Sequence, residues 1–177
     1  MKSKIIAISA IAAAFVALIL TLGAYIEFID LFTIVMSSAF VILPFYYKSY
    51  KGCILAYLVG GIIGFLFSGF NIFSIVFPSY FLFFGVYPIV RQKFEDKKVK
   101  KYITIPVGLI WFTATVYGID FYYIGVMGQT FSDLPDFILK NMLWILAIIS
   151  VVLYFIYDKY IYVVRKVTDR YLAKMKK

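Results

Sequence analysis

The sequence predicts an all-α membrane protein, a six-transmembrane-helix bundle with both termini in the cytoplasm. Three observations predict it. Of the 177 residues 64% are hydrophobic and only 15% charged, whereas a soluble domain is nearer half apolar and a quarter charged. Apolar runs of membrane-spanning length recur from one end to the other. The basic residues fall into clusters that alternate with these runs in a fixed phase.

The expected spans are 5–24, 31–47, 53–67, 72–90, 102–124 and 137–157, followed by a basic tail, 158–177. The first apolar run is too long for the core of a secretory leader, and other spans follow it, so it reads as a retained helix. It is rich in alanine. Ala10 and Ala14 share one face, and Ala13 and Ala17 share another. Small residues let helices approach closely in lipid. Span 2 carries Pro44 near its end, and Lys48, Ser49, Tyr50, Lys51 and Gly52 make a tight basic turn. Span 3 has a smooth side of Gly60, Gly61 and Gly64. Span 4 contains Pro78, which frees a backbone carbonyl that a neighbour must satisfy. The central stretch 81–101, FLFFGVYPIVRQKFEDKKVKK, leaves the apolar region and enters a cluster of six cations. Span 5 holds Pro106, Trp111, Thr115, Tyr117 and Asp120, and span 6 opens with Lys140, Asn141 and Trp144. In the tail Ile161, Val164, Val167, Tyr171 and Leu172 fall near one face, which predicts a helix continuing from span 6 at the cytoplasmic surface. No separate soluble domain fits between the spans, so the chain is one domain.

The charges set the orientation. With six spans, 17 of the 18 Lys and Arg residues lie on one side, and only Lys140 lies on the other. Basic residues concentrate on the cytoplasmic side. The outer side then holds Glu27, Asp30, Asp120, Asp133 and Asp136 against that one lysine. The net charge of +9 is thereby explained without nucleic acid, which would need a solvated basic face.

Catalysis finds little support. The chain has no His and one Cys, Cys53. That excludes an intrachain disulfide, removes the commonest general base and argues against a metal site. No phosphate-binding loop or nucleophile motif is present, and the middles of the spans are nearly free of ionisable groups. The expectation is a protein that is not an enzyme and uses no cofactor.

Binding is the better reading. The outer ends of the later spans collect Asn71, Ser74, Tyr80, Tyr117, Asp120, Gln129, Lys140, Asn141 and Trp144, with Tyr122 and Tyr123 beside them. Aromatic area with a few orienting polar groups is how small-ligand pockets are built. Tyr and Trp also gather at membrane interfaces without binding anything. Asp120 stands out because a carboxylate inside a span needs water, a partner or a ligand. Lys140 is the one outward cation. The two either pair with each other or hold opposite charges of a ligand.

The short spans, the alanine-rich first helix, the tight turn after span 2 and the Gly-rich span 3 together resemble the substrate-binding S component of energy-coupling-factor vitamin transporters. The run Phe83, Phe84, Gly85, Val86, Tyr87, Pro88, Ile89, Val90, Arg91 is similar to the FFGYYPIxK segment of uncharacterised Firmicute membrane proteins of S-component-like architecture. The resemblance implies a pocket near the outer face for a vitamin-like molecule, built from spans 4 to 6 and nearby loops. It implies that Ala10 and Ala14, or Ala13 and Ala17, dock a transmembrane coupling subunit. Two separate ATPase subunits would drive uptake across a bacterial cell membrane. A second resemblance is to the rod-shape membrane protein MreD, a non-catalytic scaffold of the cell-wall machinery. The run 64–71, GFLFSGFN, loosely resembles its pattern, with Phe67 where an acidic residue is expected.

Overall fold

In the computed structural model, residues 2–125 and 136–175 are described. They form helices and turns, with no strand among them. The α-helices are α1 (Lys2–Tyr25), α2 (Asp30–Val41), α3 (Tyr50–Phe67), α4 (Val76–Ser79), α5 (Tyr87–Asp96), α6 (Lys101–Gly125) and α7 (Asp136–Met175). Among the described residues, five segments are long and apolar enough to cross a membrane: Ser3–Tyr25, Asp30–Tyr47, Tyr50–Phe67, Tyr102–Ile124 and Lys140–Thr168. The outward apolar side chains, such as Ile110 at 69% exposure, suit a lipid surround.

α1 and α3 run parallel in close contact. Apolar side chains gain little by meeting each other rather than lipid, so small residues must carry this packing. A Cβ on Gly60 would stand 2.9 Å from the Ala13 carbonyl oxygen, and one on Gly64 would stand 3.1 Å from that of Ala17. Ala13 and Ala17 are buried, whereas Ala10 and Ala14 are exposed. The two alanine registers thus separate. One packs α1 against α3, and the other faces outward. Thr21 adds a hydroxyl bond to the Gly64 carbonyl at 3.3 Å.

Pro44 tightens the end of span 2 into a 3-10 turn, Leu43–Tyr47, closed by Lys48 in the left-handed region at φ 52°. Ser49 then caps α3, accepting from the Gly52 amide at 3.1 Å.

The expected span 4 is not one helix. Residues 71–75 form turns, α4 is a single turn through Pro78, and Tyr80–Phe84 is a π-helix. A turn at Gly85 and Val86 follows, and α5 then starts with Pro88 in its first turn. Side-chain hydroxyls satisfy the loosened backbone. Tyr57 donates to the Phe81 carbonyl and Tyr157 donates to the Phe84 carbonyl, both at 3.0 Å. The broken segment also supplies the core. Phe83 stacks on Tyr87 with ring centroids 4.7 Å apart and meets Phe112 at 4.9 Å, while Phe84 meets Tyr157 at 4.8 Å.

α7 has 40 residues, about 60 Å at 1.5 Å per residue, twice the roughly 30 Å hydrocarbon core of a bilayer. The helix thus runs unbroken from the last span through residue 175.

Candidate functional site

A cavity of about 590 Å³ opens at the end of the bundle where α1 and α3 finish. Its walls come from the α1 end (Gly23, Ala24), the α2 start (Asp30, Leu31), the broken segment (Asn71, Phe73, Ser74, Ile75, Ser79), α6 and α7. The volume lies within the usual range for small-molecule sites.

The rim is held by polar side chains tied to backbone. The Asn71 amide reaches the Ala24 carbonyl at 3.5 Å, and its Oδ1 accepts from the Phe73 amide at 3.1 Å. Tyr123 donates to the Phe73 carbonyl at 2.6 Å, linking α6 to the same loop. Asp30 accepts from the Leu31 amide at the start of α2. The floor is apolar: Phe84, Phe112, Val116, Ile119, Leu146 and Leu153 line it.

Asp120 reaches this cavity from α6, about 7.5 Å along the axis from the helix end. Its carboxylate makes no hydrogen bond or ion pair among the described residues. Lys140 is exposed, is not part of the lining and does not pair with Asp120.

Of the binding residues named from the sequence, Asn71 and Asp120 line the cavity, and so does Ser74. Tyr80 is fully buried in the core beneath, where it donates to the Tyr57 carbonyl at 3.1 Å. Tyr117 ties α6 to α7 by donating to the Leu143 carbonyl at 2.6 Å. Asn141 is half-buried on α7, and Trp144 points outward at 75% exposure. Gln129 lies outside the described residues.

The sequence reading missed Phe84, Phe112, Thr115 and Ile119. A signal for the last three was present. Phe112, Thr115, Val116, Ile119, Asp120 and Tyr123 recur at helical spacing, so Asp120 marks the face on which the other lining residues stand. Asp30, noted only as a loop carboxylate, is a second acidic group in the wall.

The other end of the bundle carries a different cluster. Arg91 donates from Nε to Asp158 Oδ1 and pairs through its terminal nitrogen with Glu95, both at 2.9 Å. Arg165 also pairs with Glu95. Tyr87 donates to Asp158 and shares a 3.0 Å hydroxyl contact with Tyr154. The cavity beside Arg91, Glu95 and Arg165 is about 10 Å³, and the cluster joins α5 to α7. No group of three or more metal-ligating side chains occurs among the described residues.

The chain matches no family model, no curated protein and no solved structure.

Proposed function

We propose that this chain is the substrate-binding subunit of an energy-coupling-factor type transporter in a bacterial cell membrane. In this reading it crosses the bilayer six times, with the broken segment 72–90 as the fourth passage and both termini in the cytoplasm. It captures a small vitamin-like molecule at the outer face. A separate coupling subunit and two ATPase subunits power release inside.

One observation carries the reading. The cavity is lined by the discontinuous segment and lies at the end of the bundle with the fewest cations. Irregular backbone at membrane depth is tolerated where it lines a cavity, and broken helices are a recurrent way to build transporter sites. The distribution of Lys and Arg supports an outward-facing mouth. Of the two alanine registers, Ala10 and Ala14 are the exposed pair and fit the docking role.

Co-purification of the tagged protein from its native membrane, with mass spectrometry of bound proteins, tests this. Recovery of a coupling subunit with two ATPases, reduced by Ala10→Leu with Ala14→Leu, is the expected result. Recovery of cell-wall or cell-shape proteins without ATPases favours the MreD-like scaffold instead.

A further inference from the structure

The capture reading leaves the chemical class of the ligand open. We infer that the cavity takes a small organic cation, an apolar or aromatic body ending in an ammonium-like group, with Asp120 as its counter-charge. This inference rests on the capture reading.

The charge of the lining is one-sided. Asp30 and Asp120 are the charged residues of the wall, and no Lys or Arg lines it among the described residues. The sequence from 126 to 139 contains no Lys or Arg. The cation next along the chain, Lys140, is exposed and outside the wall. An anionic ligand would set its charge beside two carboxylates with no wall cation to meet it. A cationic ligand meets the opposite situation. The two wall carboxylates, Asp30 and Asp120, also raise the local concentration of cations in the cavity.

The two acidic groups are not equivalent. Asp30 is engaged by the Leu31 amide at the start of its helix. Asp120 has no such partner among the described residues, and its neighbours on the lining face of α6 are Phe112, Thr115, Val116, Ile119 and Tyr123. An ionised carboxylate among apolar side chains is costly unless a ligand or water meets it. The floor below is apolar, with Phe84, Phe112, Val116, Ile119, Leu146 and Leu153 among the lining residues. Such a floor takes the apolar body of the ligand.

The experiment uses the full chain in lipid nanodiscs with a matched set of indole probes. Tryptamine carries an ammonium, indole-3-propionamide is neutral and indole-3-propionate is anionic. Binding is read by saturation-transfer NMR, with titration of those that bind. Tryptamine is expected to bind best. Asp120→Asn should weaken it roughly tenfold and leave the neutral probe unchanged, the size expected for loss of one charge-assisted contact. Asp120→Glu should restore part of the preference, and Asp30→Asn should have a smaller effect, so a folding failure in one variant does not decide the matter. If the neutral or anionic probe binds as well as tryptamine, or if both Asn variants keep the preference, the cation inference falls while the capture reading stands. If no probe saturates and no metabolite is retained by the purified protein, the capture reading falls with it.

Discussion

Arg91 and Asp158 join the broken segment to the last helix: the Arg91 Nε donates to Asp158 Oδ1 at 2.9 Å, and both side chains are largely buried. Tyr87, one turn earlier on α5, donates to the same carboxylate. The run that resembles the FFGYYPIxK segment therefore has a structural job. Phe83 and Phe84 fill the core, and Tyr87 and Arg91 clamp α5 to α7. Removing either charge leaves the other short of a partner in a poorly hydrated place. Arg91→Ala or Asp158→Ala should lower stability by about 2–3 kcal/mol. A double-mutant cycle followed by thermal unfolding in detergent should give a coupling of about 1 kcal/mol or more between them. Additive effects would mean that the pair does not hold the helices together.

The two alanine registers of α1 should respond oppositely to bulk. Gly60 and Gly64 sit against the backbone of Ala13 and Ala17. Gly60→Leu or Gly64→Leu should force α1 from α3 and cost about 2 kcal/mol or more. Ala10→Leu and Ala14→Leu add side chains to an exposed face and should leave the melting temperature nearly unchanged. Size-exclusion profiles after heating distinguish the two sets. A large loss from the Ala10 and Ala14 changes would contradict the packing described.

Orientation in the membrane is tested by site-specific labelling. Cys53 is fully buried, so Cys53→Ala provides a silent background. Phe28 is 96% exposed at the cavity end of the bundle, and Lys98 is exposed in the basic loop at the opposite end. An impermeant maleimide should label Phe28→Cys in intact cells and Lys98→Cys only after permeabilisation. The reverse pattern would invert the topology and place the cavity mouth inside.

Much of the fold was legible because the bilayer simplifies the problem. Spans of apolar residues must be helical, and the lysine and arginine clusters phase them. The break in span 4 was legible only as Pro78. The π-helix that follows depends on hydroxyls from Tyr57 and Tyr157, which arrive from other helices and leave no local signal. The same holds for the site. Asn71 and Asp120 announce themselves as polar groups in apolar surroundings. Phe84 and Phe112 read as ordinary core residues, because a cavity wall and a packed core use the same side chains. Tyr80 misled for the complementary reason, since its hydroxyl is satisfied by the Tyr57 carbonyl deep in the bundle.

The cavity itself is the central claim, and blocking it tests that claim most directly. Thr115 is buried on the α6 face that lines the cavity. Wild type and Thr115→Phe should be purified from native membranes under mild conditions, checked for equal thermal stability, and extracted for small molecules by mass spectrometry. A single metabolite retained near stoichiometry by the wild type, detected as a cation and absent from Thr115→Phe, is the expected result. An equally stable wild type that retains no metabolite, or the same metabolite at the same level in both proteins, would contradict the cavity as the binding site.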